Sequence, residues 1–352
     1  LNTSLDTLLP FEYEKIQSTT YYRTPYWKLM KKNETPVFLS KKGEGIKTLE
    51  QYDKIMPFQK TLTPVRKDTL WGYINTQYEE VIPCQYRLVR PFSEGLAAVR
   101  TTEGWHYINE TGEKVLSLNK NIRDVGQMKD GMAWFSVGSI LGFSSIDNPV
   151  AIFPKFQKVS RFDGEVAVIK EKAGFGIIDR AGKYILKPSL RHIKDFNGNE
   201  VTAYKKADSR LWGLINKQGE FVTGTQFDLI GKFKNGYAKI KKGYSYGLID
   251  STGKIVIPIE YDELGDWDEE LITVRPRYGK WQYINLKNQV IIKGDFQKIE
   301  AFKNEKAIVT TVVNGKNEMS VINKDGSFFF ESVHSHNIMH YQDGMVGIKK
   351  NI

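Results

Sequence analysis

Apolar residues fall into short alternating runs punctuated by turn residues, and the runs recur at nearly one spacing. Leu96-Ala97-Ala98-Val99, Val166-Ala167-Val168-Ile169 and Leu214-Ile215 have the length and side-chain character of strands. From residue 46 onward no segment sustains a helical period. The pattern predicts an all-β chain.

The spacing is carried by Ile followed by Asn or Asp, which occurs eight times: Ile74-Asn75, Ile108-Asn109, Ile146-Asp147, Ile178-Asp179, Ile215-Asn216, Ile249-Asp250, Ile284-Asn285 and Ile322-Asn323. These Ile lie 34, 38, 32, 37, 34, 35 and 38 residues apart, so a unit of about 35 residues repeats in tandem. A second series, Phe58, Phe92, Met128, Phe162, Phe196, Phe233, Trp267, Phe302 and Tyr341, keeps the same period. Nine anchors predict eight full units over 46–330 and a truncated capping repeat at 331–352, preceded by a cap or degenerate first repeat at 1–45. Phe227 to Pro258 is the clearest unit: an approach strand, Tyr237 to Ile240, Tyr246 to Ile249, and Ile255 to Pro258. Such β-hairpin units predict an open curved array. A closed β-propeller is the alternative, because four short strands per unit also describe a blade.

The turns carry their own chemistry. Gly95, Gly131, Gly164, Gly198, Gly236 and Gly344 follow the anchors by two or three residues, where a tight hairpin needs positive φ. Glu270 and Glu305 stand there in the last full units, so those two turns are expected to differ. Gly112, Gly182, Gly219, Gly253 and Gly326 follow the Asn or Asp by three, the spacing of a type I turn ending in a left-handed residue. That assigns the Asn and Asp to turn formation rather than catalysis.

Leu70-Trp71-Gly72-Tyr73-Ile74-Asn75 and Leu211-Trp212-Gly213-Leu214-Ile215-Asn216 resemble the bacterial WG repeat. Phe175-Gly176-Ile177-Ile178-Asp179 and Tyr246-Gly247-Leu248-Ile249-Asp250 are related versions; Trp105-His106-Tyr107-Ile108-Asn109 and Trp281-Gln282-Tyr283-Ile284-Asn285 are degenerate ones. The resemblance covers about 300 of the 352 residues. It implies an all-β tandem repeat of a kind common in bacterial envelope and secreted proteins, with no general activity and no catalytic residues to carry over. Two units depart from it: the third, around Leu141-Gly142-Phe143, moves its Ile-Asp later, and the eighth has Met319-Ser320 at the Trp-Gly position.

Lys plus Arg number 51 against 41 Asp plus Glu, a net +10 that favours anionic partners. The charge is scattered, which argues against nucleic acid. Cys84 stands alone, so the chain holds no internal disulfide and no cysteine metal cluster. No run approaches the roughly 20 apolar residues of a membrane helix. Leu1 in place of Met points to a removed leader or to trimming.

Candidate chemistry is sparse. One large aromatic per unit suits a core better than a ligand-stacking ladder, whereas Tyr21, Tyr22, Tyr26 and Trp27 break the period and are candidate contact residues or part of a packed cap. His334, His336, His340 and Asp343 are the one metal-like cluster, without the tight spacing of a metal site; His106 and His192 read as ordinary surface or turn residues. Asp266, Asp268, Glu269 and Glu270 around Trp267 form an acidic turn that suggests a hydrolase only weakly. No phosphate-cradling loop or nucleophile elbow is present.

One periodic feature is not demanded by core packing. Arg66, Arg100, Lys170, Lys241, Arg275 and Lys349 follow their anchors by eight residues, and Lys205 by nine. Their stems could simply cover each unit's aromatic in a cation–π contact, or the charges could form a stripe. The expected function is a non-enzymatic binding or scaffold protein of the cell envelope or secreted space, presenting a repeat surface to a protein partner, an acidic one if the charges form that stripe. A carbohydrate or surface-polymer binding module is the alternative. No cofactor or metal is expected.

Overall fold

Within each sheet of the described residues, strands pair with their neighbours in sequence, which is what short β runs joined by tight turns permit. The computed structural model describes residues 15–21, 24–30, 37–40, 51–57, 59, 61–268, 271–330, 336–342 and 345–350, with side chains only between 51 and 267 and between 271 and 329. Ten sheets are formed among the described residues: seven of four strands, two of three and one of two. The chain divides into two compact units, residues 1–172 with 177–184, and residues 173–176 with 185–352.

The unit read at Phe227 to Pro258 is a meander of Leu229–Ile230, Tyr237–Lys242, Ser245–Asp250 and Ile255–Tyr261. Its third strand explains the repeat's apolar run. Leu248 and Ile249 are both fully buried although they point to opposite faces, so a neighbouring layer covers each face. Tyr73 and Ile74, Tyr107 and Ile108, Ile177 and Ile178, Leu214 and Ile215, Tyr283 and Ile284, and Val321 and Ile322 repeat this pairing.

The core therefore lies between successive sheets. In the first unit, Trp71, Tyr73 and Ile82 of one sheet pack with Val89, Phe92, Val99 and Ile108 of the next. In the second, Ala203 and Leu214 pack with Phe227, Ile230, Ala238 and Ile240. Buried tyrosines add a polar stitch: the Tyr73 hydroxyl donates to the Arg90 carbonyl at 2.9 Å, Tyr107 to Gly126 at 2.8 Å and Tyr283 to Glu300 at 2.8 Å.

The turn chemistry read from sequence is present. Asn75 Oδ1 accepts the N–H groups of Gln77 and Glu79, and Asp250 Oδ1 accepts those of Thr252 and Lys254. Gly253 closes its turn on the Asp250 carbonyl with φ of 86°, while Tyr78 and Asn288 take positive φ where glycine is missing.

Two expectations need correction. The turn at Asn304-Glu305 does not differ from the glycine versions: φ is 48° and 65°, against 52° and 81° at Asn235-Gly236. The Asn at the first corner helps hold the left-handed geometry, since its short polar side chain tolerates it. Ile146-Asp147 is not a member of the buried Ile series either. Ser145 pairs with Asn148, making Ile146 and Asp147 the two-residue tip of a hairpin, and Ile146 is 43% exposed. Ser144 takes the buried place instead and donates its hydroxyl to the Ala133 carbonyl at 3.3 Å.

Candidate functional site

The recurrent cations occupy one structural position, the end of the second strand of each meander. Antiparallel pairing places that residue directly across from the aromatic that begins the third strand: Arg66 faces Trp71, Arg100 faces Trp105, and Lys241 faces Tyr246. The charges sit over those rings, Arg66 at 5.7 Å, Arg100 at 5.9 Å and Lys241 at 5.0 Å from the centroid, with Lys205 at 4.4 Å from Trp212. All four are half-buried, as long stems lying on an aromatic face should be.

Neutralisation varies. Arg66 pairs with Asp53 at 2.9 Å, and Arg275 with Glu263 and, at 4.0 Å, Asp262. Arg100, Lys205 and Lys241 make no ion pair among the described residues. Lys170 is paired across strands with Lys158. Arg66, Arg100 and Lys170 belong to the first compact unit, and Lys205, Lys241 and Arg275 to the second.

Sequence reading missed a second set of cations on the same rings. Lys54 lies 5.8 Å from Trp71, Arg90 5.9 Å from Trp105 and Lys194 4.6 Å from Trp212. They sit on or just after the short first strands, and no constant offset from the aromatic betrays them because the intervening turns differ in length. Lys194 donates to the Ile230 carbonyl at 2.8 Å, and burial, reinforced by Lys205 and Lys232, holds its ammonium below the usual lysine range.

Other candidates separate. Tyr21, Tyr26 and Trp27 lie in the sheet of Lys15–Tyr21, Thr24–Met30 and Val37–Ser40, but their side chains, and Tyr22 altogether, fall outside the described residues. His336 and His340 lie in strand His336–Gln342; His334, Asp343, Glu269 and Glu270 fall outside the described residues, as do the Lys349 and Asp268 side chains. Asp266 and Trp267 belong to the strand Glu263–Asp268 rather than a turn, and Trp267 is buried, so it offers no sugar platform beside the acids.

His106 is likewise not a surface residue. It is buried in the strand Trp105–Ile108, with Nδ1 3.0 Å from Ser117 Oγ and Nε2 3.1 Å from Thr101 Oγ1. Burial, with Lys114 adding to it, keeps its imidazole below the ordinary histidine range. His192 is exposed; it stacks on Phe175 at 5.0 Å and meets Trp212 edge-on at 5.5 Å.

In the first unit a cleft of about 410 Å³ opens beside the hairpin of Ala97–Arg100 and Trp105–Ile108, lined by Arg87, Leu88, Arg100, the loop Thr101 to Gly104, and Lys120. No helix of the described residues is long and apolar enough to cross a membrane.

A family model described as the WG containing repeat matches residues 71–105, 212–244, 246–281 and 283–316. A comparison with curated proteins found no match in sequence. Among solved structures, a eukaryotic initiation factor aligns over 85% of this chain and 94% of its own at 12% identity, with a TM-score of 0.43. Hsv2 of Kluyveromyces lactis covers 75% and 95% at 10% identity and a TM-score of 0.35. PorZ, an essential bacterial surface component of the type-IX secretion system of Porphyromonas gingivalis, covers 96% of this chain and 54% of its own at 11% identity and a TM-score of 0.30. Likeness at this level carries no argument about activity.

Proposed function

Starting from a chain that belongs to the WG-containing repeat family, we propose a non-enzymatic binding and scaffold protein of the cell envelope that presents its repeats to an acidic protein partner. The observation that carries the reading is the aromatic-seated cation at the end of the second strand. Arg100, Lys205 and Lys241 are held on Trp105, Trp212 and Tyr246 and remain without a carboxylate among the described residues. Seating on a ring removes much of a long side chain's freedom, so less entropy is lost when a partner carboxylate arrives. Arg66 and Arg275, already neutralised, contribute less.

The test is capture of partners from a native membrane fraction by the full chain, with Lys205→Glu and Lys241→Glu as the variant. Summed charge of this kind steers association and is screened over a Debye length of about 8 Å at physiological salt. The reading predicts slower association for the variant and a loss of capture as salt rises, with the melting curve retained. A partner held equally well by both proteins at every salt concentration overturns it. The envelope assignment rests on where such repeats commonly occur, and recovery of the native protein solely from cytoplasm would remove it.

A carbohydrate-binding reading draws on a different feature. Tyr244 and Tyr278, at the tips between second and third strands, are 93% and 92% exposed, and Arg277 lies 5.4 Å from the Tyr278 ring. Such faces suit pyranose rings, and glycan-array binding lost in Tyr244→Ala and Tyr278→Ala is the outcome that would favour it.

A further inference from the structure

The hairpin joining Ala97–Arg100 to Trp105–Ile108 is braced from beneath in a way its sequence did not announce. In the neighbouring units a glycine stands where His106 stands, as at Gly72 and Gly142. Here the buried imidazole reaches Thr101 Oγ1 at 3.1 Å, and the same hydroxyl oxygen accepts the Glu103 N–H at 3.1 Å. The loop Thr101 to Gly104 is thereby fixed as one wall of the cleft.

The other walls are cationic. Arg87 enters from the residue just before the short strand Leu88–Val89, its backbone N–H donating to the Arg100 carbonyl at 2.9 Å. Arg100 rests on Trp105, and Lys120 closes the far side. Glu103 is the sole carboxylate in the lining, and Lys114 holds it at 3.1 Å, a hydrogen bond that keeps it below the usual carboxylate range. Its charge is answered chiefly by Lys114, outside the lining, with a smaller contribution from Lys120. Arg87, Arg100 and Lys120 therefore converge without an ion pair among the described residues, in a space of about 410 Å³, which suits a ligand of one or two rings.

We propose that this cleft binds an oxyanion group of a small ligand, a carboxylate or a phosphate. The two guanidinium forks would take the oxygens bidentately, Lys120 would supply a point charge, and the Thr102 hydroxyl a further donor. The inference goes beyond the proposed partner surface and stands whether or not that surface is correct.

The test uses the full chain and follows Trp105, since Arg100 lies on its ring. Inorganic phosphate, free glucuronate and, as a neutral control, glucose are titrated while tryptophan fluorescence is recorded. Saturable quenching by an oxyanion but not by glucose is expected, and it should be absent from Trp105→Phe. The double variant Arg87→Ala with Lys120→Ala should weaken binding by about tenfold or more, the order of one to two charge-assisted hydrogen bonds, at unchanged melting temperature. Whichever of phosphate and glucuronate binds more tightly identifies the source of the oxyanion. Absence of saturable binding by both anions to the native protein, confirmed by calorimetry, overturns the proposal, as does a double variant that binds as well as the native chain.

Discussion

Gly72 lies directly beneath the carbonyl of Ile82: a Cβ on Gly72 would stand 2.4 Å from that oxygen and 2.7 Å from the Cys84 nitrogen. The cause is a bulge. Tyr73 pairs with Ile82 but Trp71 pairs with Tyr86, so the fourth strand humps over the glycine at Pro83. A Cβ on Gly142, Gly176 or Gly247 would likewise stand 2.5, 2.5 or 2.6 Å from the carbonyl oxygen of Ile152, Leu186 or Ile257, each close to a proline in the fourth strand. None of these glycines needs positive φ, so the motif demands space rather than a special backbone. His106 fits because its partner strand runs in regular register there, Tyr107 against Leu116 and His106 against Ser117.

Gly72→Ala should accordingly cost about 1–3 kcal/mol, because the clash is with backbone that must move. Gly95→Ala, where φ is 74° and nothing stands within 4 Å, should cost about 1 kcal/mol through strain alone. Urea denaturation of both variants measures the difference. A Gly72→Ala protein as stable as the native one would mean that the hump relaxes freely.

Tryptophans at one motif position should differ in weight. Trp105 is buried and its Nε1 donates to the Arg123 carbonyl at 3.2 Å, so Trp105→Ala should cost about 3–5 kcal/mol. Trp212 is half-buried beneath Lys194 and Lys205, and its truncation should cost clearly less. Equal losses in thermal melts would contradict the burial difference.

The stitching tyrosines set an alkaline limit. Burial pushes the phenols of Tyr73, Tyr107 and Tyr283 well above their ordinary value of 10.0. Below that value both folded and unfolded chains keep the protons, and the stabilisation is fully present. Above it the unfolded chain ionises first, so stability should fall as pH rises. Tyr107→Phe should start less stable, having lost a hydrogen bond, yet show a shallower alkaline decline in denaturant midpoint; an identical slope would remove Tyr107 from the account.

His106 sets an opposite limb. Its folded-state value is depressed below 6.5 by burial, so below that pH the unfolded chain binds a proton that the folded chain resists. Stability should therefore decline as pH falls from about 6.5, through the depressed value. His106→Gln, unable to titrate, should flatten that limb, and a calorimetric series across pH would reveal whether it does.

Much of this was legible because turns are local. Asn75, Asp179 and Asp250 cap N–H groups two and four residues on, and Gly112, Gly182 and Gly253 take φ of 87°, 76° and 86° at the predicted corner. Such chemistry is completed within five residues, so residue identity and spacing suffice to determine it, and with it the all-β class and the period. Even the cation on each ring follows from local pairing, since Arg66 and Trp71 are joined by one hairpin. What needed the tertiary structure involves partners brought together from separate strands or sheets. The hump of Pro83 over Gly72, the exposure of Ile146 where Ser144 is buried, and the burial of His106 depend on a strand's position in its sheet and on which neighbour covers it. The pairing of Arg66 with Asp53, while Lys241 meets no carboxylate among the described residues, belongs to the same class. Packing and electrostatics act through space, and the sequence orders residues along a line.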